Sequence, residues 1–505
     1  MAVETELKLR IAPDQLAKLK RHPLLKALQL ARPTTRRLYN IYYDTAKFEL
    51  QQSGMALRLR RSGLQWLQTL KGGGSVQGGL HQRNEWEMPV SGPALDFSLP
   101  QVTAWKEVLP KHLRKQLQAV FVTDFSRNSR MLLWQDAQIE LCMDQGEVST
   151  EKSRAPVCEL ELEQISGIPQ QLFGIALALL DIVPFELESI SKAEQGFRLL
   201  SGTAEQPVKA LPLNLDKHDD LGKAMQTLIW SVLQHVQSNV RGAMVSNNSE
   251  YLHQLRVALR RLRVLLRMVE SICADEQLAI FRREVAALCI TLGRIREWDV
   301  FIAQTVQPLC ERMPQDAGLQ ALLVVSKQQG DVCCSVLRSD TETRELQRLL
   351  LRFAFWMHGP YWQQVELSGL STRDVAATYL TELARKFAQA GEHLNTFDAA
   401  KLHAMRIRAK KLRYCAEFFA SLYRKHKSQQ YLTALSAVQE VLGQINDDAV
   451  ANRLLDDLAK VPALTGHQDA IALGRGWIAR DLSQQLGILQ DTVWNFQRQP
   501  RYWEK

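Results

Sequence analysis

Val3-Glu4-Thr5-Glu6-Leu7-Lys8-Leu9 opens the chain with charged residues at every second position. In a β-strand successive side chains point to opposite faces, so Glu4, Glu6 and Lys8 share one face while Val3, Thr5, Leu7 and Leu9 share the other. Two carboxylates side by side repel unless a cation sits between them, and a lysine further along the same face is placed to hold the anion that the cation binds. Taken alone, the stretch also fits an ordinary solvated strand face. The following segments decide between the two.

The same alternation recurs down the first 200 residues. Arg58 and Arg60 share one side of Met55-Ala56-Leu57-Arg58-Leu59-Arg60, and the segment 65–71 reads as a partner strand ending in Lys71. Arg83, Glu85 and Glu87 alternate with Asn84, Trp86 and Met88; Glu140, Cys142 and Asp144 with Ile139, Leu141 and Met143; Glu159, Glu161 and Glu163 with Cys158, Leu160 and Leu162. An open sheet would put such charged faces in water, whereas a closed barrel would turn them inward under an apolar outer face covered by helices. Dry burial costs several kcal/mol per ion, so the lumen of such a barrel has to hold water, metal and ligand. Lys71 is followed by Gly72-Gly73-Gly74 and later by Gly78-Gly79, without the GK[ST] of a phosphate-binding P-loop, so a flexible hairpin connection is expected there.

Glu4-Thr5-Glu6-Leu7-Lys8 matches the ExExK signature of the CYTH family, the triphosphate tunnel metalloenzymes. Leu57-Arg58-Leu59-Arg60, Thr69-Leu70-Lys71, Glu85-Trp86-Glu87, the Arg127 segment, Asp144-Gln145-Gly146, Glu161-Leu162-Glu163 and Ser191-Lys192 resemble its remaining motifs in order. The resemblance covers about residues 1–200 and implies an eight-stranded antiparallel β tunnel with flanking helices. In it Lys8, Arg58, Arg60, Lys71, Arg83, Arg127 and Lys192 would bind a linear triphosphate, while Glu4, Glu6, Asp144, Glu161 and Glu163 would hold Mg²⁺ or Mn²⁺. Glu4, Glu6 and Lys8 would carry catalysis, and the assignment among Glu159, Glu161 and Glu163 stays open. The chain departs from the family's SKxxRG plug pattern, reading Ser191-Lys192-Ala193-Glu194-Gln195-Gly196, so Lys192 is carried over and position 195 is not. The chemistry is coherent on its own terms: arginines give forked hydrogen bonds to phosphate oxygens, hard carboxylates suit a hard cation, and phosphoryl transfer needs positioning and neutralisation without a side-chain nucleophile.

At 505 residues the chain has room for two or three domains. Eight cysteines without CxxC pairs argue for reduced thiols and a cytoplasmic protein. No signal peptide and no membrane partner are expected, since the chain starts in a charged strand and lacks a run of about 18 apolar residues. A net charge of +9 favours an anionic partner.

A linker is expected at 203–216, between a tunnel domain at 1–202 and a helical domain at 217–505. The helical half contains a repeat with an offset of 150 residues, its copies beginning near 220 and 370: Leu252-His253-Gln254-Leu255-Arg256 aligns with Leu402-His403-Ala404-Met405-Arg406, and Leu292-Gly293-Arg294-Ile295-Arg296-Glu297 with Leu442-Gly443-Gln444-Ile445-Asn446-Asp447. Two copies of one unit predict an all-α bundle about a pseudo-twofold axis, making the whole a multidomain α+β protein. His253, Arg256, Arg260, Arg263 and Arg267 fall at spacings of three and four, a continuous basic seam, and His403, Arg406, Lys410 and Arg413 repeat it. A solvated face would mix in acids, and from Leu252 to Met268 there are none. A polyanion site therefore fits better than a metal site at the histidines, whose neighbours are arginines. This pattern resembles the CHAD family, whose members are associated with inorganic polyphosphate.

Joined, the halves resemble bacterial CYTH-CHAD fusions. The expected activity is divalent-metal-dependent hydrolysis of inorganic triphosphate to pyrophosphate and phosphate, an acid-anhydride hydrolase, with polyphosphate held on the bundle. The alternatives are a hydrolase or cyclase acting on thiamine triphosphate or ATP, and a non-catalytic polyphosphate-binding protein. Nucleic acid is disfavoured because the seams lack interleaved aromatics. Oligomeric state is open.

Overall fold

The computed structural model describes residues 2–99, 105, 109–272, 275–364, 371–391 and 398–504. It divides into two compact units, Met1–Gln206 with Thr343–Tyr361, and Pro207–Glu342 with Trp362–Lys505.

The first unit is a closed antiparallel barrel. Its strands are β1 (Ala2–Arg10), β2 (Thr34–Asp44), β3 (Met55–Ser62), β4 (Gln65–Gln77), β5 (Leu80–Val90), β6 (Gln118–Trp134), β7 (Ala137–Ser149) and β8 (Arg154–Gln164). They run in the order β5-β4-β3-β2-β6-β7-β8-β1, and β1 pairs back onto β5, which closes the ring. A two-residue strand, β9 (Glu186–Leu187), adds to β1. Closure leaves no open edge among the eight strands and gives each one an inner and an outer face, so the alternation becomes a charged lumen inside an apolar shell. Leu7, Leu9, Leu141, Leu160 and Leu162 are fully buried on the outer side. Helices α1 (Pro13–Lys20), α2 (Pro23–Leu28), α3 (Pro169–Ile182) and α4 (Lys192–Ser201) belong to the same unit.

The glycine run after Lys71 departs from the expected hairpin connection. Gly72, Gly73 and Gly74 lie inside β4, where the β4–β5 register shifts between Gly72 and Ser75, and the turn falls at Gly78-Gly79. Gly74 has φ +94° and a Cβ there would stand 1.8 Å from the Gln82 carbonyl oxygen, so only glycine makes this bulge.

The second unit is helical: α5 (Leu221–Val245), α6 (Ser249–Glu270), α7 (Glu276–Phe301), α8 (Ala317–Leu337), then α10 (Thr372–Gly391), α11 (Ala399–Phe419), α12 (Lys425–Leu458) and α13 (Gln468–Gln497), with α9 (Asp340–Met357) between the two sets. Asp220, Asn248, Asp275, Asp316 and Asp398 cap α5, α6, α7, α8 and α11, each accepting from a backbone N–H of the first turn. The 150-residue offset matches α6 with α11 and α7 with α12, and each pair of equivalent helices is in contact. The expected start of the second copy at 370 lies outside the described residues. The seven described cysteines are free thiols. Among the described residues no helix is long and apolar enough to cross a membrane.

From Thr343 onward α9 clusters with the barrel, although it lies within the helical half of the sequence. Buried Gln347 accepts from the Leu187 N–H at 3.0 Å, Arg348 pairs with Asp181 at 2.7 Å, Gln170 donates to the Phe355 carbonyl at 3.2 Å, and His358 stacks on Phe173. A chain ending at Gln206 lacks these partners. It should melt at least several degrees below the full-length barrel and bind a hydrophobic dye, checked by calorimetry and fluorescence, and adding 343–361 in trans should reverse part of the change.

Candidate active site and a basic cleft

Register decides which charges meet in the lumen. Glu6 stands opposite Glu163 and Lys8 opposite Glu161 across β1–β8. Glu140 faces Glu163 and Asp144 faces Glu159 across β7–β8, and Arg127 faces Asp144 across β6–β7. Strands β1, β7 and β8 thus form an acidic wall, while Arg58 and Arg60 of β3, Lys71 of β4 and Arg83 of β5 form a basic one. Between them lies a cavity of ≈ 270 Å³, lined by Glu4, Glu6, Lys8, Arg58, Arg60, Lys71, Arg83, Arg127, Glu161, Glu163 and Lys192 among others. Asp144 is fully buried and reaches the lumen through Arg127 and Lys192.

Two groups of acids emerge. Asp144, Glu159 and Glu161 bring one oxygen each within 4.8 Å of one another, the geometry of a cation site. Lys192 already occupies it: its ammonium lies 2.6 Å from Asp144 Oδ2 and 3.0 Å from Glu161 Oε1, and it also bonds Glu159. Arg127 grips Asp144 through two bonds of 2.8 and 2.6 Å and bonds Glu161, as does Lys8. Burial pushes the Glu161 carboxyl up, but Lys192, Lys8 and Arg127 outweigh it and hold it well below the usual range. Burial wins at Glu159, which sits at about 7 despite Lys192.

The second group is Glu4, Glu6, Glu140 and Glu163. Burial, then Glu4, Glu140 and Glu6, push Glu163 up to about 7. Glu4 is raised by burial and by Glu6 against the opposing pull of Lys71. Lys8, 2.9 Å from Glu6 Oε1, holds Glu6 down against its burial. The first group already holds the Lys192 ammonium, whereas Glu4, Glu6, Glu140 and Glu163 all line the cavity itself. Hard carboxylate oxygens under mutual repulsion suit a divalent ion.

Across the lumen, Arg60 is pulled down to about 10 by burial and by Arg58 and Arg127, so positive charge there is under-compensated. Its Nε donates to Asn40 at 2.8 Å, and the buried Arg58 Nε has no partner. Lys71 pairs with Glu4 and, at 3.3 Å, with Glu85, which also lies 3.6 Å from Arg58. Glu85, Glu140 and Glu159 are thus parts of the site that the sequence-derived site set leaves out, although the same alternation that marks their neighbours marks them.

Lys192 is aimed by its surroundings. Ser191 caps α4, accepting from the Glu194 N–H, and Gln195, standing where the family pattern has arginine, donates to Glu159 at 3.4 Å. Just upstream, the Glu188 N–H bonds the Lys8 carbonyl at 2.9 Å, and Glu188 also pairs with Arg10. Gly196 lets α4 lie against β6, since a Cβ there would come within 2.1 Å of the Phe121 ring.

In the helical unit, His253, Arg256 and Arg260 of α6, Arg296 of α7, and Arg406 and Lys410 of α11 line one cleft of ≈ 180 Å³, with Glu297 and Asp447. Both repeats of the basic seam therefore reach one place. His403, Arg263 and Arg413 do not line it: His403 bonds Asn446 at 3.0 Å, and Arg413 turns to Glu417 and Gln439. The Nε atoms of Arg256 and Arg406, related by the repeat, are buried without partners. Burial, then Arg260, Arg406 and Arg256, drive Lys410 down to about 6, and burial and Arg296 lower His253.

The family model described as the CYTH domain matches residues 2–197, and that described as the CHAD domain matches residues 227–456. An inorganic triphosphatase of Haemophilus influenzae is 31% identical over 205 residues, which are 39% of this chain and 55% of that protein, so the chain spans about half the length of this curated relative. The crystal structure of the CHAD domain from the plant Ricinus communis aligns with a TM-score of 0.50 at 28% identity, covering 59% of this chain and 99% of that one.

Gly196→Val should force α4 off Phe121. The expected cost is about 1–3 kcal/mol of barrel stability, read by thermal denaturation. An unchanged melting temperature would mean that α4 does not need the close approach.

Proposed function

Because this chain joins a CYTH domain to a CHAD domain, we propose that its barrel hydrolyses inorganic triphosphate to pyrophosphate and phosphate with a divalent cation, Mg²⁺ or Mn²⁺, and that its basic cleft binds inorganic polyphosphate. One observation carries the first half: a single lumen with an acidic wall facing an under-compensated basic wall. Phosphoryl transfer asks for positioning and charge neutralisation and needs no side-chain nucleophile, which suits a lumen lined by charges of both signs. The name of the Haemophilus relative supports the same reaction.

Arg58, Arg60, Lys71 and Arg83 are assigned to the triphosphate oxygens, with Arg58 and Arg60 giving the least-compensated contacts. Glu4, Glu6, Glu140 and Glu163 would hold the cation. When bound, it would supply charge neutralisation to the phosphate and favour ionisation of an attacking water. Attack forms a bond from the water oxygen to a terminal phosphorus while the bond to the bridging oxygen breaks, releasing pyrophosphate and phosphate. Of the residues expected to hold metal, Asp144 and Glu161 are assigned, with Glu159, to fixing Lys192 and Lys8 beside the substrate.

The inorganic substrate is preferred over ATP or thiamine triphosphate because both rings lining the lumen are engaged. Tyr42 stacks on Phe121 with centroids 4.6 Å apart, and Lys192 and Arg127 stand over Phe125. A base or thiazolium ring would have to compete with these contacts to stack there. Free thiols fit a cytoplasmic setting.

The Nε atoms of Arg256 and Arg406, buried without partners beside one cleft, carry the second half, since Asp447, 4.0 Å from Arg406, leaves them unsatisfied and an anion would satisfy them.

Four measurements test the reading. Glu4→Gln or Glu163→Gln should lower kcat by at least about a hundredfold while leaving the melting temperature within a few degrees, and excess chelator should stop the wild-type enzyme; full turnover in either case would sink the cation site. Arg58→Ala with Arg60→Ala should weaken triphosphate binding by roughly 10- to 100-fold, the worth of one or two charge-assisted bonds. ATP or thiamine triphosphate turned over faster than triphosphate would return the organic reading.

The fourth concerns pH. An anion in the cleft should raise Lys410, which faces Arg256, Arg260, Arg406, Arg296, Glu297 and Asp447, so binding takes up a proton. Polyphosphate affinity should therefore be greatest below about pH 6 and fall as pH rises above it. Calorimetry in buffers of different ionisation enthalpy reads the uptake, and Lys410→Met should reduce it to the part that His253, lowered in the same cleft, contributes.

A further inference from the structure

The basic seam of α11 does not stop at the cleft. Arg406 and Lys410 line the cleft, and the next members of the same helix, Arg413 and Tyr414, line a second cavity of ≈ 470 Å³. On α6 the helical period sorts the residues likewise. Arg256 and Arg260 face the cleft, Gln254 and Arg261 face the second cavity, and His253 and Val257, one turn apart, border both.

Arg261 is the decisive group. It is only 4% exposed, its Nε has no hydrogen-bond partner, and beneath it lies the Phe418 ring at 5.3 Å. Leaving that Nε–H buried and unpaired is costly even with Glu417 near enough to offset part of the charge, and the cavity that Arg261 lines is where the missing bond can be made. Arg413 is already engaged by Glu417 at 2.7 Å and by Gln439 at 3.1 Å, so it arrives pre-oriented, and Glu417 is the one acid facing the cavity. The roof is the chain between the two family matches. Residues 209–213 cross the opening, held at one end by the reciprocal bonds of Val208 with Asn239, 3.0 and 2.8 Å, and at the other by the Leu215 N–H on Ser421 at 3.0 Å.

We propose that this strapped cavity is a second phosphate subsite, in which Arg261 and Arg413 hold phosphoryl oxygens of a polyphosphate chain that passes His253 from the cleft. The proposal rests on the polyphosphate reading of the cleft. It gives a place to seam residue Arg413, which the cleft leaves out, and to Arg261, which the seam leaves out.

Long-chain polyphosphate binding to the full-length protein, measured at a series of salt concentrations, tests it. Arg261→Met keeps the apolar stem and removes the buried charge, so the fold should melt no lower than wild type. Its affinity should fall roughly tenfold or more, the worth of a hydrogen bond to a charged group, and the slope of log affinity against log salt should shrink by about one. Arg413→Gln should act in the same direction and covers the case in which the first variant folds poorly. Arg256→Ala with Arg406→Ala tests the cleft itself. If that double variant loses binding while Arg261→Met and Arg413→Gln leave affinity and slope unchanged, the strapped subsite is wrong and the cleft stands. If the double variant binds as wild type, the polyphosphate reading fails first.

Discussion

Closure of the barrel around its own charges is the constraint on which the first unit depends. A lumen holding Glu6, Lys8, Asp144, Glu159, Glu161 and Lys192, none more than 7% exposed, survives only if each charge meets its opposite. The antiparallel register supplies the pairing by placing Lys8 beside Glu161 and Arg127 beside Asp144. Lys192 then comes in from the end of the barrel on α4 to complete the acid trio. Removing one partner would leave an uncompensated buried charge, which is far more costly than never having buried the pair.

That pairing is deliberately incomplete in two places, and these are where chemistry is expected. Around Glu4 and Glu163 the acids outnumber nearby cations, and around Arg58 and Arg60 the reverse holds. On the proposed reading a divalent cation would relieve the first and the triphosphate anion the second, so the two would bind best together. The same principle operates in the helical unit, where cations crowd one cleft until Lys410 is driven down to about 6. Unbalanced charge held in place by a rigid fold is a pre-organised site, because the strain of holding like charges together is released on binding.

The fold also explains why the two chain halves are not simply two units. Part of α9 returns to the barrel, where Gln347 fixes β9 and, through it, the backbone leading to Glu188 and Lys192. No periodicity in 340–357 distinguishes a helix that packs among helices from one that packs on a barrel, since both need the same apolar stripe.

Alternation in β1, β3, β5, β7 and β8 by itself determined that these strands would each have one apolar and one charged face, because a two-residue period does so whichever sheet they join. That the charged faces turn inward was decided by β1 pairing back onto β5. The 150-residue repeat likewise determined that two equivalent basic helices would exist. Which charges neighbour each other was a matter of register and closure, which bring together residues over 150 positions apart, such as Lys8 and Glu161. Hence Glu159 and Glu85 were legible as strand-face acids but not as partners of Lys192 and Lys71. In the same way the spacing gave a single seam from His253 to Arg263 and from His403 to Arg413, whereas helix packing put His253, Arg256, Arg260, Arg406 and Lys410 in one cleft and sent Arg413 to another. A helical period fixes which residues share a stripe; only the neighbouring helices fix where along that stripe a cavity begins and ends.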